Sequence, residues 1–326
     1  MFAEILGQEP ALTTLYRALD SGRVHHAYRF EGPSGVGKRI AALALAQALL
    51  CEKAGTRACG VCSACRRALT LSEEEPRVPL HPDLVFVQRG LYKKSLGAAE
   101  ASGISIEQVR RVVLGRVGFT PHEGRALVFI VEDAEELTAS AANALLKTLE
   151  EPGQATHFVL LTSRPNRLLD TIRSRTLPVR FAPLSDALLA QILERRGLSP
   201  AVAPLAQGSA SLALELASDE SLKEREEFAR AAREAILAKD LAAATRLGDS
   251  KRYDRETLQG LLAYFGQSLA LAARACVAGA TDEAEQLAEQ HRTVMSTMQQ
   301  VERNMQPALA LEAMVYRLRE LEARKA

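Results

Sequence analysis

The sequence predicts a parallel α/β domain followed by an all-helical remainder, and three observations carry that division. Short apolar runs alternate with amphipathic or Ala/Leu-rich stretches from Tyr28 to Phe181, the order that builds a parallel sheet with helices on its faces. The run Ala126-Leu127-Val128-Phe129-Ile130-Val131 is continuously apolar, as a strand buried on both faces requires. From Pro183 onward no strand pattern recurs and the periodicity is helical throughout.

Ala11 to Asp20 places Leu12, Leu15 and Leu19 on one helical face, and Gly22 ends the pattern. His25 and His26 follow; adjacent histidines point in different directions, so a structural role is expected of them rather than shared metal ligation. Tyr28-Arg29-Phe30-Glu31 reads as a strand, Gly32-Pro33-Ser34-Gly35-Val36-Gly37-Lys38-Arg39 as a Gly-rich loop, and Ile40 to Leu50 as a helix. Strand, loop and helix in that order match a P-loop: the glycines let backbone N–H groups wrap a phosphate and the Lys reaches its terminal oxygens. Gly32, Gly35, Gly37 and Lys38 are therefore the candidate nucleotide-binding residues. The next position of the motif calls for a Ser or Thr hydroxyl that holds Mg²⁺, and here it is Arg39. A guanidinium only donates and cannot ligate a metal, so the loop is expected to have impaired nucleotide chemistry.

Cys51, Cys59, Cys62 and Cys65 stand with seven, two and two residues between them. Four thiolates in so short a stretch can close a tetrahedral site, which suits a structural Zn²⁺ with no open position for water. The last two spacings, across Cys59, Cys62 and Cys65, also match part of an iron–sulfur run, but the Cys that should follow is upstream and the Pro is missing; unliganded thiols are the third reading. Cys276, alone on a helix, is expected to be a packed core thiol.

Glu73-Glu74-Glu75-Pro76 through Pro79 and Pro82 reads as a charged connector, Asp83 to Val87 as a strand, Arg89 to Gly103 as a flexible loop, and Ile104 to Val117 as a helix. That helix carries Arg110, Arg111 and Arg116, a local basic patch whose simpler reading is a solvated face. The strand Ala126 to Val131 ends in Glu132-Asp133, and the C-terminal end of a central strand is where a P-loop enzyme places its Mg²⁺ ligand and water-activating base. The usual order is Asp then Glu, so both carboxylates sit at altered reach; a plain strand terminus is the alternative. A helix from Ser140 to Glu151 is stopped by Pro152-Gly153, and strands follow at His157 to Thr162 and Leu177 to Phe181. Ser185 to Arg195 and Leu205 to Ser218 make a small helical unit. Leu222 to the C-terminus makes a larger one, broken at Gly248, Gly279 and Pro307.

Lys plus Arg is 41 against 40 for Asp plus Glu, a net charge of +1, which argues against a generally basic nucleic-acid binder. The start MFAEILGQEP has no basic region and apolar core of an export signal. Leu261 to Ala280 is interrupted by Gln267, Ser268 and Arg274 and is expected to be a buried amphipathic helix, not a membrane span. A cytoplasmic protein is expected.

The stretch Ala141-Ala142-Asn143-Ala144-Leu145-Leu146-Lys147-Thr148-Leu149-Glu150-Glu151-Pro152, and again Leu168-Leu169-Asp170-Thr171-Ile172-Arg173-Ser174-Arg175-Thr176, closely resembles bacterial clamp-loader subunits of the AAA+ class. Ile5-Leu6-Gly7-Gln8, the four-cysteine module and His81-Pro82-Asp83 agree with that family, so the resemblance covers nearly the whole chain. It implies a P-loop AAA+ α/β domain with a zinc module (residues 1–182, module 51–65), a small helical lid (183–219) and an all-α collar for oligomerisation (220–326). In the family the motif is Ser-Arg-Cys and its Arg enters the ATP site of the next subunit as an arginine finger; Ser174 and Arg175 match it, and Thr176 replaces the Cys. The resemblance places Ser211 where active motor subunits carry a nucleotide-sensing Arg. Arg39, Glu132-Asp133 and Ser211 together match a subunit retired from hydrolysis, for which ATP and Mg²⁺ binding stay open. The implied partners are gamma/tau motor subunits, a delta subunit, the sliding beta clamp and primed DNA, within a DNA-directed DNA polymerase holoenzyme. Two other readings remain: an ATP-hydrolysing motor whose Mg²⁺ is held through Glu132 or Asp133, and a zinc-dependent DNA adaptor using Arg57, Arg66 and Arg67.

Overall fold

The computed structural model describes residues 4–323 apart from 54, 56, 97–102, 124, 154, 239–246, 248–252, 278 and 280. They form two compact units, Met1–Leu188 with Ser209–Ser211, and Leu189–Gly208 with Leu212–Ala326.

The first unit is built on a five-stranded parallel sheet in the order β2-β3-β4-β1-β5. The strands are β1 (Ala27–Glu31), β2 (Leu84–Val87), β3 (Leu127–Val131), β4 (Thr156–Thr162) and β5 (Leu177–Arg180). They fall where the apolar runs predict, within two residues at each end. Side chains alternate across the sheet, so one strand feeds two cores. Tyr28, Phe30, Val128, Ile130 and Val159 join helices α1 (Glu9–Asp20) and α2 (Lys38–Leu50) on one face. Ala27, Phe129, Phe158 and Leu160 join the helix Ala139–Glu150 and Ile172 on the other. Phe129 and Phe158 stack at 4.9 Å between ring centres.

Helix ends follow local chemistry. Pro10 opens α1, where a missing N–H costs nothing, and Leu12, Leu15 and Leu19 are buried as expected. Thr138 caps Ala139–Glu150 by accepting from the Ala141 amide at 3.3 Å. His25 and His26 stack at 4.3 Å and bond locally, His25 Nδ1 to Ala27 and His26 Nε2 to the Leu149 carbonyl at 3.0 Å. That is the structural role the sequence suggests.

Three expectations need correction. The predicted helix Ile104–Val117 begins later, because Ile104 pairs as a strand-like bridge with Leu137; Ile106–Gln108 is α-helical, and Val109–Leu114 widens so that the Gly115 amide reaches Arg110 five residues back. The segment expected as a flexible loop from Arg89 contains a helical turn at Lys93–Leu96, with Lys94 paired to Glu75 at 2.5 Å; its 97–102 part lies outside the described residues. Cys276 is partly exposed at the end of Arg255–Cys276 and is not a core thiol.

In the second unit the helices Asp219–Leu237, Arg255–Cys276, Thr281–Glu302 and Pro307–Ala323 pack around Leu258, Leu262, Phe265, Val294, Val301, Met314 and Leu318. His291 Nδ1 lies 2.8 Å from the Gly266 carbonyl, tying the second of these helices to the third. The chain turns at Gly279 and restarts on Pro307, as predicted, whereas Gly248 lies outside the described residues. Among the described residues no helix is long and apolar enough to cross a membrane.

Candidate functional site

The Gly-rich loop leaves β1 and enters α2 through backbone that only glycine adopts freely. Gly32, Gly35 and Gly37 have φ of 149, 74 and 104°. Two of them are also pressed by neighbours: a Cβ on Gly32 would lie 2.2 Å from the Phe181 carbonyl oxygen, and one on Gly35 would lie 2.1 Å from the hydroxyls of both Ser209 and Ser211. Ala210 donates its amide to Gly35 O at 2.9 Å, so the loop is spanned by 209–211 and Ser211 does reach it. Gln8, absent from the candidate residues, anchors the loop from behind: its side-chain amide donates to the carbonyls of Val36 and Ala182 at 3.2 and 2.8 Å.

Lys38 Nζ turns back on the loop and donates to the carbonyls of Gly32 and Pro33, each at 2.6 Å. Burial lowers its pKa, against the pull of Glu135, Asp133 and Glu132. Arg39 extends from the first turn of α2 to Glu132, 3.3 Å away, and lies over the Phe86 ring at 5.2 Å. The structure thus brings the departed hydroxyl position and the reversed acidic pair together: a guanidinium faces the carboxylate at the end of β3. Burial pushes Glu132 up, Arg39 opposing it, and partial burial with the charge of Glu135 pushes Asp133 up. Asp133 has a left-handed backbone, φ 46°, just beyond the end of the strand.

Glu135 belongs to the same acidic group, and the sequence reading missed it. Its carboxylate accepts from the Ser163 amide at 3.1 Å and hydroxyl at 2.8 Å, at the end of β4. Burial pushes it up, but hydrogen bonds from its own amide, Thr162 and Ser163 outweigh that and hold it below the usual carboxylate range. The signal available was the density of acids in Glu132-Asp133-Ala134-Glu135-Glu136.

Arg175 and Ser174 lie beyond the short helix Asp170–Arg173, away from this loop in sequence but on the same unit. Arg175 Nε donates to Glu150 at 2.5 Å and Nη1 to the Thr171 carbonyl at 2.9 Å; Ser174 donates to that same carbonyl at 3.1 Å. Its partner, Glu150, lies near the end of the Ala141-to-Pro152 stretch, so the two motifs that carry the family resemblance meet through an ion pair.

The four cysteines converge where α2 ends and the short helix α3 (Ser63–Arg67) begins. Their sulfurs all lie within 4.8 Å of one another, with Cys51 to Cys62 at 3.9 Å and Cys59 to Cys65 at 4.0 Å. Sulfurs about 2.3 Å from a tetrahedral zinc are about 3.8 Å apart, so the cluster is compatible with a zinc site. Amides also aim at the sulfurs: Cys59 N to Cys51 Sγ at 3.4 Å, Cys62 N to Cys59 Sγ at 3.3 Å and Cys65 N to Cys62 Sγ at 3.4 Å. Amide donation from Val61 and Cys62 lowers the Cys59 thiol to about 6, while burial pushes Cys65 up. Of the nearby arginines, Arg67 forms a two-pronged pair with Glu123 at 2.6 and 2.5 Å, and Arg57 lies over the Tyr16 ring at 4.7 Å.

Residues 7–185 match the model of the family described as DNA polymerase III, delta subunit. The chain belongs to that family. This delta-family chain is 34% identical over 223 residues to the DNA polymerase III subunit delta' of Bacillus subtilis, covering 68% of itself and 61% of that relative. It is 39% identical over 211 residues to the subunit gamma/tau of Mycobacterium tuberculosis, covering 63% of itself and 33% of that relative. The chain therefore spans about a third of the length of the gamma/tau relatives it matches. In fold it is similar to a DNA polymerase III gamma subunit-related protein of Thermotoga maritima, with a TM-score of 0.50, 17% identity, and coverage of 95% of this chain and 99% of the other. The clamp-loader resemblance seen in the motifs holds at the level of family.

Proposed function

We propose that this chain is a delta-prime-type clamp-loader subunit that does not hydrolyse ATP itself and presents Arg175 to the ATP site of a neighbouring motor subunit. One observation carries the first half. The site for a catalytic Mg²⁺ is crossed by the Arg39–Glu132 ion pair, and Lys38 is satisfied by its own loop. A fixed guanidinium beside Glu132 repels a divalent cation and removes the hydroxyl that would hold it.

The second half rests on the fork of Arg175. Glu150 takes part of the guanidinium from within the chain, as an oxyanion of a neighbour's γ-phosphate would in an assembly. Arginine delivered in trans is worth about 10³–10⁵ in rate where it stabilises phosphoryl transfer. Three parts serve this role in the proposal: residues 1–182 as the AAA+ domain, 183–219 as the lid and 220–326 as the collar that holds gamma/tau and delta subunits. The two compact units support a division near Leu188. Through that assembly the chain takes part in placing the sliding beta clamp on primed DNA in the cytoplasm. Cys51, Cys59, Cys62 and Cys65 hold a structural Zn²⁺ that ties α2 to α3.

The greater identity to a gamma/tau subunit favours a second reading, a motor that hydrolyses ATP with Glu132 or Asp133 on Mg²⁺. ATP turnover by the chain alone, and by the reconstituted complex with Arg175→Ala, separates the two. The proposal expects no turnover alone and a large loss in the complex with assembly intact.

A further inference from the structure

Arg29 interrupts an otherwise apolar strand, and its side chain is 7% exposed. Among the described residues Arg29 is the buried arginine and Lys38 the buried lysine. Burying a charge without partners is prohibitive, so its contacts show what the position is for. Because Tyr28 and Phe30 face α1 and α2, Arg29 faces the opposite side of the sheet, toward the segment before β5.

There its fork closes on three groups. Nε donates to Glu31 Oε1 at 2.6 Å, which balances the charge. Nη1 donates to the Arg173 carbonyl at 2.8 Å and to Thr176 Oγ1 at 2.6 Å. The Thr176 hydroxyl donates its hydrogen bond to the Ile172 carbonyl at 2.8 Å, which leaves its oxygen lone pairs to accept from Arg29. The two anchored residues bracket Ser174 and Arg175. Thr176, the position where the chain departs from Ser-Arg-Cys, is thereby explained: a hydroxyl accepts from a guanidinium better than a thiol does.

We propose that Arg29 is a positioning residue for Arg175, holding the backbone of 173–176 so that the Arg175 side chain projects in one direction. The inference rests on the finger reading above. Glu31 immediately precedes Gly32, so the same contacts join the start of the phosphate loop to the finger segment.

The test uses the complex reconstituted with motor and delta subunits on primed DNA, reading kcat and KM for ATP. Arg29→Met should lower kcat on the order of 10- to 100-fold with KM unchanged within about twofold, since misplacing a catalytic group by about 1 Å has that effect. Thr176→Ser should retain activity and Thr176→Val should lose part of it. Arg29→Met added to Arg175→Ala should change nothing further, because both act through one group. Full activity of Arg29→Met, or losses that multiply in the double variant, overturns the positioning role while leaving the finger in place. Full activity of Arg175→Ala removes both. If Arg29→Met does not fold, the Thr176 pair decides: equal kcat for Ser and Val overturns the proposal.

Discussion

Replacing Arg39 with Ala separates two reasons the guanidinium could be there: stability of the fold, or occupation of the Mg²⁺ position. At 3.3 Å from Glu132 the Coulomb attraction is about 5 kcal/mol at an effective dielectric of about 20. Arg39 is 47% exposed and water screens it, so the pair's net contribution falls to about 1–2 kcal/mol. Its place over Phe86 adds about 0.5 kcal/mol that does not depend on pH. The pair exists only while Glu132 is ionised. Burial raises Glu132 in the folded state, so folded protein holds that proton more tightly than unfolded chain, and stability falls as pH rises from about the ordinary glutamate value of 4.5 through the raised one. Arg39 opposes that fall. Arg39→Ala should therefore cost about 2 kcal/mol at pH 8 and about 0.5 kcal/mol at pH 4 in urea unfolding. A loss equal at both pH values would refute the pairing with Glu132, and a loss above about 4 kcal/mol would make Arg39 a structural residue.

After chelation the four thiols should differ in reactivity. Iodoacetamide at pH 7 should alkylate Cys59 first, its thiol lying at about 6, and Cys65 last, because burial pushes it up; mass spectrometry of early time points reads the order, and the untreated protein should react slowly at all four. Phe158→Ala removes a fully buried ring stacked on Phe129 and should destabilise the first unit by about 3–5 kcal/mol in urea unfolding. A loss below about 1 kcal/mol would mean that this face of the sheet is not packed as described.

The elements that depend on one pattern were legible in the sequence. A continuous apolar run of only six residues, Ala126 to Val131, is too short for a buried helix and fits a strand buried on both faces, and β3 is one. Gly32, Gly35 and Gly37 announce their backbone because glycine adopts it at least cost, and the four cysteines announce a cluster by spacing alone. What was not legible depends on two distant pieces of chain meeting. Arg29 reads as an interruption of β1 until the segment before β5 is laid beside it, 144 positions away at the Arg173 carbonyl. Gln8 likewise bonds a carbonyl 174 positions distant. The late start of the helix after Ile104 follows from its bridge to Leu137, a tertiary contact that overrides local propensity. Cys276 sits at the last position of its helix, and helical periodicity gives a face but not where the helix ends.

The central claim, that this chain lends an arginine instead of hydrolysing ATP, is tested most directly by steady-state ATP hydrolysis with Mg²⁺ and primed DNA. Three samples suffice: the purified chain alone, and the complex reconstituted with wild-type and with Arg175→Ala chain at matched assembly. The account predicts no hydrolysis by the chain alone and a fall of about 10³-fold at the site that Arg175 serves. Hydrolysis by the chain alone, abolished by Lys38→Ala, would contradict it and make the chain a motor.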